Sequence, residues 1–283
     1  MDLCDVNTIK ALLARHGFHF SKSLGQNFLI EAWVPRDIAE VSGAGAGVGV
    51  VEIGPGIGPL TVELARRAEK VAAIELDRAL LPILDETLAG FDNVSVISGD
   101  VMSLDLKALV QEHMPGLTPM VCANLPYNIT TPVLHLLLES GLFSAVTVMI
   151  QKEVAQRICA EPGNKDYGAF SLYCQYKAGT ELLFEVPKEC FLPAPKVTSA
   201  VVRLTPHPAP ACVRDEKLFF SLVRPAFVYR RKTLLNALCN ALPLDKEAIA
   251  SCIAAAGLPA DVRGERLGIE AFAALAEEIK KLM

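Results

Sequence analysis

The chain has 283 residues, 52% of them apolar and 21% charged, with a formal net charge of −5. That length accommodates one large domain, or a large domain joined to a small one, and the composition excludes a disordered, collagen-like or coiled-coil chain. The acidic balance argues against a nucleic-acid partner held by bulk charge, so such a partner would need a confined cationic face.

The start, MDLCDVNTIKALLARHG, places two acids before any basic residue and has no long apolar core, so it does not read as a signal peptide. SGAGAGVG (42–49) reads as a flexible lead into the first strand. Seven short β-rich runs follow: VGVVEIG (48–54), VAAIEL (71–76), VSVISGD (94–100), MVCANLP (120–126), AVTVMI (145–150), LLFEVP (182–187) and SAVVRL (199–204). Their near-continuous apolar character suits strands buried on both faces of a mostly parallel sheet. Segments such as PLTVELARRAEK and LPILDETLAG between them carry helix-period apolar residues, which predicts an open, doubly wound α/β fold. The link between the last two runs holds Pro193 and Pro195 and is too short for a helical crossover, so the sheet is expected to finish in an antiparallel, hairpin-like manner.

The uncharged stretch 120–138 has membrane-spanning length but contains Asn124, Pro126, Asn128, Pro132 and His135, which excludes a membrane helix. TPHPAPA (205–211) reads as a linker. Beyond it the periodicity is helical, over roughly 215–227, 230–241, 245–256 and 270–282. The expected organisation is a larger α/β domain over 1–206 and a small helical domain over 207–283. The eight cysteines contain no CxxC pair and several sit in apolar runs, so they are expected to be buried thiols of a reducing cytosol. His16, His19, His113, His135 and Cys122 lack partners at metal-ligand spacing, and no metal is expected.

Three strand ends carry ligand-type residues. VEIGPGIG puts Gly54, Gly56 and Gly58 where backbone must approach a ligand closely. The spacing is GxGxG with Glu52 two positions before it, rather than the dinucleotide GxGxxG, and methyl-donor folds commonly look like this. Glu75 ends the second run, where a carboxylate can accept both hydroxyls of a ribose, in a nicotinamide dinucleotide or S-adenosylmethionine alike; Asp77 reads as a helix N-cap. Asp100 ends the third run, placed to accept from an adenine amino group, with the Val101 backbone packing near the ring. Asn124, Leu125, Pro126 and Tyr127 end the fourth. An adenine N6 amine is a poor nucleophile because its lone pair is delocalised into the ring. The Asn124 carboxamide oxygen and the Leu125 carbonyl can each accept one N–H, draw the nitrogen toward a tetrahedral shape and stabilise its developing charge. Pro126 holds the preceding carbonyl in a β-like pose, and Tyr127 can stack on an extruded base.

The segments KSLGQNFL, VEIGPGIGPLTVELA, IELD, GDVM, NLPYNITTPVLHLLLE, MIQKEVAQRI and FLPAPKVTSAVVRL occur in this order, and the likeness they carry runs from about Ser21 to Lys232. Together they resemble the bacterial small-subunit (16S) ribosomal RNA adenine N6,N6-dimethyltransferases. The resemblance implies a Rossmann-like S-adenosylmethionine-dependent methyltransferase fold with a small C-terminal all-helical domain. Its N-terminal flap (1–45) would bring Gln26, Asn27 and Leu29 over the cofactor, with Gly54, Gly56, Glu75, Asp100, Val101 and Asn124 completing that site. It implies further that Phe191 closes the target pocket opposite Tyr127; read without the family, Phe191 is as well explained by core packing. Lys22 and Lys196 are candidate phosphate contacts.

RPAFVYRRKTLLNAL carries Arg224, Arg230, Arg231 and Lys232, with no acidic residue from Lys217 to Pro243. Spaced along two predicted helices and interleaved with Phe227 and Tyr229, these can form a local cationic face, and the resemblance favours RNA contact there. The implied substrate is 16S rRNA within an immature 30S subunit, modified at two adjacent adenines near its 3′ end by a cytoplasmic monomer without membrane association. A large-subunit (23S) dimethyltransferase of the resistance type and an assembly-checkpoint factor acting mainly by binding are the alternatives.

Overall fold

The computed structural model describes residues 1–20 and 25–283, so Lys22 lies outside the described residues. The chain divides into two compact units, Met1–Ala155 with Gly179–Pro206, and Gln156–Ala178 with His207–Met283.

The first unit opens with α1 (Val6–Arg15), β1 (Phe28–Leu29) and α2 (Trp33–Val41). The doubly wound part follows as β2 (Val48–Ile53), α3 (Pro59–Ala65), β3 (Lys70–Glu75), α4 (Leu81–Thr87), β4 (Val94–Ser98), α5 (Leu106–His113), β5 (Thr118–Asn124), α6 (Thr130–Ser140) and β6 (Val146–Gln151). At the end of β6 the chain enters α7 (Lys152–Ile158), continues through α8 (Ala169–Lys177), and comes back as β7 (Ala178–Val186), β8 (Phe191–Leu192) and β9 (Ser199–Pro206). Side-chain caps set several helix starts, with Asp5 accepting from Thr8 N and Asp105 from Lys107 N and Ala108 N.

The main sheet has the order β4-β3-β2-β5-β6-β9-β7. β2 pairs in parallel with both β3 and β5, β3 with β4, and β5 with β6, while β9 runs antiparallel to β6. All seven expected strand runs are present, and the last of them, β9, lies beside β7 in the sheet order while running antiparallel to β6. The sequence did not indicate that β9 lies between β6 and β7, with β7 at the edge. The winding direction reverses between β2 and β5, which opens a crevice at the carboxyl ends of these two strands. A second, two-stranded sheet pairs β1 with β8 antiparallel, setting Phe28 opposite Leu192 and Leu29 opposite Phe191. Leu29, Val50, Cys122, Met149, Phe191 and Val201 belong to one buried apolar cluster of this unit.

The second unit contains α9 (Glu216–Val228), α10 (Leu234–Cys239), α11 (Lys246–Ala255) and α12 (Ile269–Lys280). The boundary expected at 206 assigned everything before it to the α/β domain, whereas Gln156–Ala178 packs with the helical unit. The reason is visible in its side chains: Tyr167, Leu172 and Tyr176 are buried in one cluster with Phe219, Leu238 and Phe272. The helix expected over 230–241 begins only at Leu234, because Thr233 adopts extended backbone and caps it through Asn236 N. Arg230, Arg231 and Lys232 therefore lie in the turn between α9 and α10 rather than along a helix. Among the described residues no helix is long and apolar enough to cross a membrane, and the 120–138 stretch is split between β5 and α6. The cysteines are free, five of them buried as expected, but Cys212 is exposed because it lies in the proline-rich connection.

Candidate active site

The crevice at the carboxyl ends of β2 and β5 opens into a pocket of about 1140 Å³ counting its mouth. Its walls include Gln26, Asn27, Leu29, Gly54, Gly56, Glu75, Asp100, Val101, Asn124, Leu125, Tyr127 and Phe191, so twelve candidate residues from six separate stretches of sequence meet in one place.

The glycine turn supplies the floor. Gly54 has φ +70°, its N–H is bonded to Ile74 O at 2.9 Å, and a Cβ built on it would face open space, so backbone rather than side chain meets whatever fills the pocket. Gly56, with φ +63°, backs onto the Phe28 ring, which a Cβ there would approach to 3.3 Å. Glu75 is almost fully buried. Its Oε2 accepts from Gly56 N at 3.3 Å and its Oε1 from Asp77 N at 2.7 Å. Burial raises its pKa, opposed by those backbone N–H groups. A carboxylate has about four acceptor positions, so acceptor capacity remains for a ligand hydroxyl. Asp100 is exposed and uses Oδ1 to accept from Met102 N at 2.9 Å, while Val101 beside it is buried.

Among the described residues, the N-terminal segment is tied to this site by a side-chain hydrogen bond and by strand pairing. Gln26 Nε2 donates to Asp77 Oδ2 at 2.7 Å, and Asp77 also caps the turn Arg78–Leu80 through Ala79 N, as its sequence position predicts. Asn27 folds back, its Nδ2 donating to Gly25 O at 2.9 Å. Leu29 is backbone-paired to Phe191, so the N-terminal segment and the stretch that carries Phe191 form one ribbon.

On the other side, Leu125 N donates to Met149 O at 3.1 Å, and Pro126 O accepts from Ile129 N and Thr130 Oγ1. Among the described residues no donor reaches the Asn124 carboxamide oxygen or the Leu125 carbonyl. Two acceptors thus remain at the mouth of β5. The Tyr127 hydroxyl is 2.8 Å from Ser199 Oγ, and burial raises the phenol pKa. Phe191 is buried and also lines the pocket, so core packing and pocket lining hold together.

Three lining residues had no place in the sequence expectation. Leu76 is 52% exposed although it follows directly on a buried strand; a large apolar side chain left in the open beside Glu75 and Asp100 suits the face of a flat ring. Phe28 packs behind the glycine turn. Glu52, whose position before the glycines was noted without a role, is 1% exposed with Oε2 unpartnered among the described residues, and burial pushes its carboxyl up to about 8. The signal for Leu76 was available, as an apolar residue at a strand end between two acids. Among the described residues no three His, Cys, Asp or Glu side chains gather to hold a metal.

The RNA-contact candidates lie elsewhere. Lys196 is exposed in the loop between β8 and β9. In the helical unit Arg224, Arg231 and Lys232 are exposed, but Arg230 donates to Glu265 Oε2 and to Lys165 O, both at 2.6 Å.

The lining fits S-adenosylmethionine: a buried carboxylate at Glu75, an exposed carboxylate at Asp100 with apolar Val101 and Leu76 beside it, and open backbone at Gly54. Comparison with known proteins agrees. Two solved structures share the fold, a dimethyladenosine transferase from Plasmodium falciparum (TM-score 0.74, 24% identity, 89% of this chain and 97% of that one) and the 23S rRNA methyltransferase ErmE (TM-score 0.69, 25% identity, 90% and 100%). The ribosomal RNA small subunit methyltransferase A of Geobacillus thermodenitrificans is 47% identical over 99% of this chain and 98% of its own length. The protein of that description from Bacillus cytotoxicus is likewise 47% identical, over 98% and 97%. The sequence model of the ribosomal RNA adenine dimethylase family matches residues 17–281, and the chain belongs to that family.

Proposed function

We propose that the chain dimethylates the N6 amines of two adjacent adenines near the 3′ end of 16S rRNA, as a cytoplasmic monomer acting on an immature small subunit. The small-subunit designation of relatives at 47% identity supports this target over 23S rRNA. The observation that carries the reaction is the pair of acceptors, Asn124 and Leu125, placed beside the crevice that Gly54, Glu75 and Asp100 line.

S-adenosylmethionine, when bound, supplies an electrophilic methyl group on a sulfonium. Glu75 takes the ribose hydroxyls, Asp100 the adenine amino group of the cofactor, and Leu76 and Val101 the faces of that ring. Gln26, Asn27 and Leu29 cover it and exclude water. The target adenine enters between Tyr127 and Phe191. Asn124 Oδ1 and the Leu125 carbonyl would each accept one N6 hydrogen, orient the nitrogen lone pair and stabilise positive charge developing on that nitrogen. The alkylated ammonium is strongly acidic and gives its proton to water, so no side-chain base is needed. Arg224, Arg231, Lys232 and Lys196 contact phosphates of the folded RNA.

The test is incubation of the protein with labelled S-adenosylmethionine and immature small subunits, followed by nucleoside analysis and mapping of the labelled positions. Dimethyladenine at two neighbouring sites near the 3′ end of 16S rRNA is the expected result. Label in 23S rRNA alone would reverse the target assignment, and subunit binding without label would favour a checkpoint role.

A further inference from the structure

We propose that Ser199 is a positioning residue for the second of the two methyl transfers, acting through Tyr127. The inference rests on the reading of Tyr127 as the stacking wall for the target base.

The two walls of the target pocket are held differently. Phe191 is fixed by burial in the core cluster and by backbone pairing with Leu29. Tyr127 is only partly buried, on a loop whose backbone is pinned at Leu125 N and Pro126 O. Those pins fix the loop but not the ring. Among the described residues, its far end is held by the 2.8 Å hydrogen bond between its hydroxyl and Ser199 Oγ. Ser199 is fully buried, is the first residue of β9, and sits in register with Gln151 on β6. The hydroxyl is thus a rigid peg, and it ties a loop at the end of β5 to a strand two places away in the sheet.

The consequence follows from counting hydrogens. In the first transfer N6 carries two, and Asn124 and Leu125 together fix the plane of the amine. After it N6 carries one, so one of the two acceptors loses its partner and the methyl group must be accommodated. The base then depends on its stacking walls for orientation. A loosened Tyr127 will cost the second transfer more than the first, because reacting atoms must lie within a narrow range of distance and angle.

The experiment compares Ser199→Ala, Tyr127→Phe, their double variant, Ser199→Thr and Tyr127→Ala with the unaltered protein in single-turnover time courses, resolving monomethyl- and dimethyladenine. Thermal melting and calorimetric affinity for S-adenosylmethionine are measured alongside. Loss of one hydrogen bond predicts that Ser199→Ala and Tyr127→Phe each lower the rate of the second transfer relative to the first by about tenfold. Monomethyladenine then accumulates while cofactor affinity stays unchanged. The double variant is expected to be no worse than either single, and Ser199→Thr to restore dimethylation. If Tyr127→Ala impairs methylation but Ser199→Ala keeps the normal product ratio, the positioning role is overturned and the stacking wall survives. If Tyr127→Ala leaves both transfers intact, the stacking reading itself has failed. Equal loss of both transfers in Ser199→Ala, with lowered melting or cofactor affinity, marks a merely structural serine.

Discussion

The Arg230 guanidinium is bound to Glu265, Nε donating to Oε2 at 2.6 Å, and its second donor goes to Lys165 O. One side chain thereby fastens the turn between α9 and α10 to two other segments of the helical unit. The adjacent Arg231 and Lys232 are exposed, as is Tyr229 before them. The basic run therefore divides into an anchor and its exposed neighbours.

Substituting the two arginines separately should give opposite signatures. Arg231→Glu is expected to weaken RNA binding and to reduce the slope of log affinity against log salt by about one or more, with melting unchanged. Arg230→Ala removes a charge-assisted pair and a carbonyl contact, so melting should fall by a few degrees, corresponding to roughly 1–3 kcal/mol. Salt titration of subunit binding and thermal melts measure the two effects. A salt slope changed by Arg230→Ala but not by Arg231→Glu would reverse the assignment.

Asn124→Ala removes one acceptor at the mouth of β5 and leaves the Leu125 carbonyl without its companion. Loss of one such group from a water-excluded site typically costs about 10²–10³ in rate, so both transfers should be effectively abolished. Quenched time courses with saturating cofactor separate this from weaker binding. Near-normal dimethylation by the variant would remove Asn124 from the chemistry.

The residues at the carboxyl ends of strands were the legible part of the site. Glu75, Asp100 and Asn124 each close an apolar run, and a parallel sheet brings such ends to one edge without further information. What local pattern could not carry is anything decided by a distant partner. β9 lies between β6 and β7 because of sheet pairing, not because of its own composition, so the contact of Tyr127 with Ser199, 72 residues on, was invisible. Arg230 read as one more cation because Glu265 lies 35 residues downstream. The excursion Gln156–Ala178 read as part of the α/β domain because its burial against Phe219 and Phe272 depends on helices that follow much later. Gln26, Asn27, Leu29 and Phe191 were reached through family resemblance alone, since a two-residue strand leaves no periodic signal.

Glu52 gives the fold a specific pH dependence. Burial pushes its carboxyl up to about 8 from an ordinary value near 4.5; the Thr61 hydroxyl opposes the shift and the charge on Glu75 adds to it. The folded chain thus keeps a proton that the unfolded chain has already released. This group penalises folding least below pH about 4.5, increasingly as pH rises toward 8, and by a constant amount above that, at roughly 1.4 kcal/mol per pH unit within the window. Glu52→Gln mimics the protonated form, so the variant should gain on the unaltered protein in melting temperature from pH 5 to pH 8 and then hold its lead. Parallel melting curves across that range would show that Glu52 does not titrate there.

The contact between Gln26 and Asp77 predicts a cofactor effect without a chemical one. Gln26 Nε2 donates to Asp77 Oδ2 at 2.7 Å, while Asp77 Oδ1 separately accepts from Ala79 N at 3.0 Å. Asp77→Asn keeps an acceptor for Ala79 N but replaces the charged acceptor facing Gln26 with a neutral amide, so it weakens the tie without removing the cap. Gln26→Ala breaks the same tie from the other side. Each should weaken calorimetric affinity for S-adenosylmethionine by roughly five- to tenfold, the equivalent of one net hydrogen bond, with melting nearly unchanged. Because both substitutions act on one interaction, the double variant should bind about as well as either single one. If Gln26 instead acts by touching the cofactor itself, Gln26→Ala will exceed Asp77→Asn and the two losses will add. The coupling energy from the four affinities therefore decides whether the N-terminal segment is held over the crevice by the loop after β3 or by the molecule it covers.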